Sequence, residues 1–229
     1  MRVYAIGDVH GRDDLLEEVH AQITADRAAR PTPDCRIVHI GDYVDRGPDT
    51  ADVIERLSLF QRADPSAVFL RGNHEEMLLE FLNDPAAGGL NFVSNGGLAT
   101  MASYGIDVDR LYDKRDLVEA GQRLVELMPA EHRAFVDALQ LSTGIGDYFF
   151  CHAGVRPGVR LDRQSADDLT WIREPFLDYA GEFEAVIVHG HTPAPEPEVR
   201  SNRINIDTGA VFTGRLTCLV LEGTGFSFL

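Results

Sequence analysis

Three short blocks hold side chains able to bind hard cations, and each directly follows an apolar run: Gly7-Asp8-Val9-His10-Gly11-Arg12, Gly41-Asp42-Tyr43-Val44-Asp45-Arg46-Gly47 and Gly72-Asn73-His74-Glu75. Their leading ligand-type residues, Asp8, Asp42 and Asn73, stand 34 and then 31 residues apart. About 30 residues is the length of one βαβ unit, so the blocks are expected at one edge of a single sheet. That edge, beyond the carboxyl ends of parallel strands, is where α/β proteins build their sites. Two later apolar runs end in histidine, Phe149-Phe150-Cys151-His152 and Val188-His189-Gly190-His191-Thr192. The set amounts to two Asp, one Asn and three His without cysteine, which suits Mn²⁺, Fe or Zn²⁺ and disfavours a thiolate zinc site. Asp42 has two carboxylate oxygens and can bridge two cations. Two cations roughly 3.5–4 Å apart clamp an in-line phosphoryl displacement and lower the pKa of a bridging water.

The elements that must position these residues follow from periodicity and punctuation. Arg2 to Ile6 reads as a buried strand. Asp13 to about Ala29 reads as a helix, with Leu15, Leu16, Val19 and Ile23 at helical spacing and Pro31 to stop it. Strands at 36–40 and 67–70, helices at 50–61 and 75–82, and short links predict a parallel, doubly wound first half. From Asp84 to about Gln140 the composition changes. Gly88-Gly89, Asn95-Gly96-Gly97 and helical stretches at 116–128 and 131–139 suggest an inserted helical cap within a single domain spanning 1–229. Strands return at 139–143 and 148–152 as a hairpin, and further strands at 185–189, 203–207, 216–222 and 226–229 have hairpin-type spacing. The whole predicts two packed sheets with helices outside.

Composition narrows the function classes. A chain of 229 residues with a formal charge of -16 lacks the positive surface that nucleic acid or an anionic membrane requires, and a nuclease reading is weakened accordingly. Cys35, Cys151 and Cys218 form no disulfide framework, which fits a reducing cytosol. No targeting segment is visible, since the first strand begins at Arg2, and no apolar run approaches 18 residues, so neither export nor a membrane span is expected. The expected location is cytoplasmic. Oligomeric state cannot be read.

A phosphate ester also needs a proton for its leaving oxygen, best supplied by a histidine held by a carboxylate. His74, beside Asn73, is the natural acid, and Asp45, three residues after Asp42, the natural orienting group; a helix-capping His74 with Asp45 in an ordinary turn is the alternative. Arg46 and Arg173 are the expected phosphate clamps and Arg156 a third, because a planar guanidinium grips phosphate oxygens bidentately. Arg12 reads as an exposed first-turn helix residue. His20, His39 and His132 read as structural or solvated, and His189 as packed or as support for a ligand. The spacing Cys151-x-x-x-x-Arg156 is one residue shorter than a cysteine-phosphatase loop, and Cys151 ends an apolar strand, so it reads as core.

Together the blocks resemble the calcineurin-like metallophosphoesterase superfamily, and within it the small bacterial and bacteriophage type of serine/threonine protein phosphatase, from Gly7 to about Leu221. The run Trp171-Ile172-Arg173-Glu174 resembles the Trp-x-Arg-Glu of the phage enzyme. The resemblance implies a four-layer α-β-β-α sandwich, with two mixed sheets between helices. It implies Asp8, His10 and Asp42 on one metal, Asp42, Asn73, His152 and His191 on the other, and the roles given above for His74 and Asp45. Many relatives end in Gly-His-x-His; here Gly190-His191-Thr192 lacks the final histidine, as protein phosphatases do. The expected cofactors are two divalent cations, Mn²⁺ foremost. The expected substrate is a phosphorylated protein or peptide; the alternative is a dinucleoside polyphosphate, with the chain a symmetrical bis(5'-nucleosyl)-tetraphosphatase that hydrolyses diadenosine tetraphosphate. Asp45 and Glu75 favour the first, since the tetraphosphatase branch carries Ala and Asp there. A catalytically silent phosphate-binding fold should have lost a ligand or the acid, and none is lost. No substrate code is readable in the cap, and whether Asn95-Gly96-Gly97 borders the site is open.

Overall fold

The computed structural model describes residues 1–111 and 113–229. In chain order it begins with β1 (Arg2–Ile6), α1 (Asp13–Ala29), β2 (Cys35–His39), α2 (Thr50–Ala63), β3 (Val68–Phe69) and α3 (Asn73–Asn83). A helical run follows: α4 (Pro85–Ser94), α5 (Gly97–Ser103), α6 (Lys114–Leu127) and α7 (Ala130–Asp137). The second half contributes β4 (Ser142–Ile145), β5 (Tyr148–Cys151), α8 (Ala166–Trp171), β6 (Val186–His189), β7 (Glu198–Val199), β8 (Arg203–Asn205), α9 (Ala210–Thr213), β9 (Cys218–Glu222) and β10 (Gly225–Phe228).

Two five-stranded mixed sheets result, in the orders β10-β9-β1-β2-β3 and β4-β5-β6-β8-β7. Strands β1, β2 and β3 are parallel, whereas β9 runs antiparallel to β1. Alternation then decides the layers, because successive strand residues face opposite sides. Val3, Ala5, Val38 and Ile40 point toward the second sheet and pack with Phe150, Val188, Ile204 and Ile206. Tyr4, Ile6 and Ile37 point the other way, against Leu16 and Val19 of α1 and Val53 and Leu57 of α2. Outside the second sheet, Phe149, Cys151 and Ile187 meet Leu169, Ile172 and Phe176. The expected four layers, helix, sheet, sheet, helix, are therefore present.

The helical run 85–137 packs into the same apolar cluster as α1 and α2, through Phe92, Leu117, Leu124 and Phe135. Gly88-Gly89, read as punctuation in the sequence, lies inside α4. Its bareness lets α4 close onto α3, where a side chain on Gly88 would meet the backbone of Glu80 and Phe81. Two pairing expectations are corrected. The first hairpin is formed by 142–145 and 148–151, and the turn is Gly146-Asp147, with Gly146 at φ +60°. Strands β6 and β8 are parallel rather than a hairpin, because the proline-rich loop after His191 carries the chain to the far edge, where β7 pairs on β8. Strands β5 and β6 are also parallel, so His152 and His191 leave the second sheet on the same side.

Candidate metal centre

The parallel strands β1, β2 and β3 end at Ile6, His39 and Phe69, and the three blocks emerge together. Helix α3 starts earlier than the periodicity suggests: Asn73 and His74 form its first turn behind Gly72. Glu75 explains this start. Its Oε2 accepts from the backbone N–H of Gly72 at 2.8 Å and of Asp42 at 2.9 Å, and its Oε1 from that of Tyr43 at 2.7 Å. One buried carboxylate thus fastens the second block to the third. Burial, with Asp42 nearby, raises its pKa to about 7 against the opposing pull of those donors.

All five non-glycine residues with positive φ among the described residues belong to the candidate set or the blocks that carry it: His10, Asp42, Asp45, Arg46 and His191. Such backbone costs on the order of 1 kcal/mol or more per residue and persists where surrounding structure enforces it. Close approach requires bare backbone at two places. A side chain on Gly72 would strike the Asp42 carboxylate, and one on Gly190 would strike that of Asp8.

The imidazoles are oriented from behind. His10 Nδ1 donates to Val44 O at 2.8 Å and His152 Nδ1 to Ile40 O at 3.1 Å, which turns each Nε2 lone pair inward. His10 Nε2 lies 3.4 Å from Asp42 Oδ2, and His152 Nε2 lies 3.3 Å from Asp42 Oδ1. Asn73 Oδ1 sits between His152 Nε2 at 3.1 Å and His191 Nδ1 at 2.9 Å. Asp42 therefore joins two clusters whose donor atoms lie within 4.8 Å of one another: His10, Asp42 and His74 in one, Asp42, His152 and His191 in the other. Asp8 borders the second, its Oδ2 accepting from the backbone N–H of His191 at 3.1 Å.

Two buried polar atoms here have no hydrogen-bond partner among the described residues, Asp8 Oδ1 and His191 Nε2. Buried lone pairs without donors are costly, and divalent cations would engage them. Burial pushes His10 and His191 down to about 3, so both imidazoles are neutral, the form that ligates. Burial alone would raise the Asp42 carboxyl, but His152 and His74 outweigh it and hold the group well below the usual range. Conversely, burial lowers His152 while Asp42 and Asp8 outweigh it and push it up to about 10. Burial and Asp207 raise Asp8. A bound cation would displace the proton this crowd of donors otherwise favours. Oxygen and imidazole donors, orphaned lone pairs and a shared central carboxylate fit two divalent cations.

Beside this cluster His74 Nδ1 donates to Asp45 Oδ2 at 2.7 Å. Burial lowers the imidazole's pKa, but Asp42 and Asp45 together raise it above its ordinary value. Asp45 is held in turn by Thr100 of α5, which donates to Asp45 Oδ1 at 2.7 Å and accepts from the Asp45 backbone N–H at 2.9 Å. Sequence reasoning missed Thr100, and also the clamping role of Glu75. The first had no local signal, being 55 residues from its partner; the second stood in plain view, three residues beyond Gly72. Arg46 reaches His10 Nε2 at 2.6 Å and His74 Nε2 at 2.8 Å, and its backbone N–H donates to Gly96 O at 3.1 Å. The Asn95-Gly96-Gly97 turn thus borders the site.

Arg173 is exposed at the rim and close enough to His191 to help lower its pKa; no carboxylate among the described residues pairs with it. Arg156 has another partner: it grips Asp168 with two hydrogen bonds of 3.0 and 2.5 Å, which fasten its loop to α8. Arg12 grips Asp14 and donates to Ala210 O. His189 packs on Phe176 with its Nε2 at 3.2 Å from the buried Arg203. Burial pushes the Cys151 thiol far up, as suits a core residue.

The chain matches the calcineurin-like phosphoesterase family over residues 1–214 and belongs to it. It is a metallophosphoesterase, and its relatives are hydrolases. A bis(5'-nucleosyl)-tetraphosphatase of the asymmetrical kind from Bacillus thuringiensis is 29% identical over 96% of this chain and 90% of its own length. Among solved structures, a provisionally named diadenosine tetraphosphatase superposes with a TM-score of 0.65 at 20% identity, over 100% of this chain and 92% of that one. A cold-active protein tyrosine phosphatase gives 0.63 at 18% identity, over 99% and 75%. Both structural likenesses concern the fold. Among the described residues no helix is long and apolar enough to cross a membrane.

Proposed function

We propose that this chain hydrolyses phosphate monoesters, with phosphoserine and phosphothreonine of proteins as its substrates, at a dinuclear metal centre. Asp8, His10 and Asp42 would hold one cation, and Asp42, Asn73, His152 and His191 the other. Bound there, two cations supply a nucleophilic water and neutralise charge on the phosphoryl oxygens. The observation that carries the reading is the pair of His74 and Asp45, 2.7 Å apart at the edge of the metal cluster. An alkoxide is a poor leaving group and needs a proton, and a raised imidazole held by a buried carboxylate can deliver one from Nε2. Asp45 fixes the ring and stabilises its charged form, while Thr100 fixes Asp45. Arg46 and Arg173 would bind the non-bridging phosphoryl oxygens; Arg156, committed to Asp168, keeps only a supporting place.

A second reading has support of another kind. The curated relatives that match nearly the whole chain are named for dinucleoside tetraphosphate hydrolysis. The leaving group there is a nucleotide phosphate, which departs without an acid, so the two readings differ in their need for His74. The test is hydrolysis of a phosphoserine peptide against diadenosine tetraphosphate after chelation and reloading with Mn²⁺. Peptide turnover lost on chelation and regained with Mn²⁺, in excess of nucleotide cleavage, is expected. Preferential cleavage of the tetraphosphate would transfer the site to the second reading.

A further inference from the structure

Trp171 is the chain's single tryptophan and lies at the end of α8. Its indole N–H donates to Glu76 Oε2 at 2.9 Å, and the Thr170 hydroxyl, whose single proton is shared with the Ala166 carbonyl at 2.9 Å, lies 3.2 Å from the same oxygen. The ring meets His191 edge to face, with centroids 6.2 Å apart. Held in this way beside a candidate metal ligand, it nevertheless stays 37% exposed, and no other aromatic ring of the described residues covers it. A fixed aromatic face opening beside a phosphoester site is a recognition surface, since indole is the strongest of the side-chain π faces for a cation.

The charge around it selects the ligand. Glu76 Oε1 has no hydrogen-bond or ion-pair partner among the described residues. Glu80 lies one turn along the same helix, and Asp167 and Glu174 flank Trp171 in sequence; all three are exposed. Arg173 is the one nearby cation in this stretch, and it serves the phosphate. The whole chain carries a formal charge of -16. Such a rim repels a polyphosphate tail and attracts a positive side chain.

We propose that Trp171 and Glu76 form a subsite for an arginine side chain of the phosphorylated polypeptide, seated on the indole face with its guanidinium toward Glu76 Oε1. The inference rests on the phosphoprotein reading and adds a sequence preference to it: phosphorylated residues flanked by arginine are the better substrates. The preference expected from one cation–π contact and one half-exposed ion pair is roughly five- to tenfold in affinity.

The test uses two phosphoserine peptides that differ only by Arg or Ala near the phosphorylated residue. KM is measured for each with the full-length, metal-loaded protein. Binding is read separately from Trp171 emission in His74→Asn, which slows turnover and leaves the only fluorophore of its kind in place, with diamagnetic Zn²⁺ as the metal. Expected are a five- to tenfold lower KM for the Arg peptide, a change in emission that saturates with it, and collapse of the preference to under twofold in both Glu76→Gln and Trp171→Leu. Turnover of both peptides with equal KM would remove the subsite and leave the phosphoprotein reading standing. Failure to turn over either peptide, with cleavage of diadenosine tetraphosphate, would overturn that reading and the subsite's substrate with it.

Discussion

Seven histidines are buried, and they divide between two settings. His10, His74, His152 and His191 gather at the sheet edge. His39, His132 and His189 lie elsewhere, in apolar packing. Burial pushes His189 down to about 3, as it does His10 and His191, and pushes His39 down too. A depressed imidazole therefore separates nothing. The surroundings do. His39 stacks on Phe69 with centroids 4.7 Å apart and meets His20 Nε2 at 3.0 Å. His132 spans Tyr104 and Glu55, and His189 meets Phe176 and Arg203. None of these three imidazoles shares a side-chain oxygen with another imidazole. At the sheet edge the imidazoles of His10, His74 and His152 each turn a nitrogen toward Asp42, those of His152 and His191 turn one toward Asn73 Oδ1, and His10, Asp42 and His191 sit on left-handed backbone. Convergence on shared oxygens, rather than burial, distinguishes a candidate ligand from a packed histidine.

The largest test of that distinction is Asp42→Asn. If Asp42 joins two cations, its amide analogue serves neither, and elemental analysis after dialysis should find both lost, with activity abolished. Two cations retained per chain would break the bridging assignment. Next in size is His74→Asn. Loss of a general acid costs about 10²–10⁴ in turnover, and the cost should fall on alkyl phosphates while nitrophenyl phosphate, whose leaving group departs unaided, suffers far less. Equal losses on both would place His74 among the ligands instead, beside its neighbours His10 and Asp42.

A smaller effect is expected one step further out. Thr100→Val removes a donor from the buried Asp45 carboxylate, which should cost about 1–3 kcal/mol in denaturant unfolding. It should also lower turnover roughly 10-fold or more, as for other partners that orient site residues. Thr100→Ser should restore both. Loss of stability with undiminished turnover would show that Asp45 keeps its place without α5.

Thr100 also marks the limit of what the sequence discloses. Asp8, Asp42 and Asn73 were legible because each directly follows a buried strand, and a fixed chain interval converts into a shared sheet edge. His152 and His191 were legible because they end apolar runs. The Asp45–His74 geometry followed from its adjacency to both. Thr100 is joined to Asp45 by tertiary packing of α5, for which no local pattern exists, and Arg156 carries the right chemistry but is captured by Asp168 across a loop. The parallel pairing of β6 and β8 was hidden for the same reason: local spacing fits a hairpin, and only the long excursion through 193–197 moves the chain to the far side.

The smallest effect is expected from the other setting, and it carries the most weight for the comparison. His39→Leu replaces a buried imidazole that meets His20 and stacks on Phe69. Metal content and turnover should stay as they are, and stability at pH 8 should change by less than about 1.5 kcal/mol. The pH dependence should change more. Burial holds His39 neutral in the fold, with its pKa well below the ordinary value, so the unfolded chain takes up an extra proton once pH falls below about 6.5. Stability conferred by the fold is then present above pH 6.5 and lost as pH falls toward the folded pKa. His39→Leu removes this uptake, and the slope of unfolding free energy between pH 6.5 and 5 should flatten by up to about 1.4 kcal/mol per pH unit. An unchanged slope would mean that His39 takes up its proton over the same pH range in the folded and the unfolded chain, so that the fold does not lower its pKa. Lost metal or turnover would mean that the packed histidines reach the sheet edge through β2, and the two settings would no longer be separate.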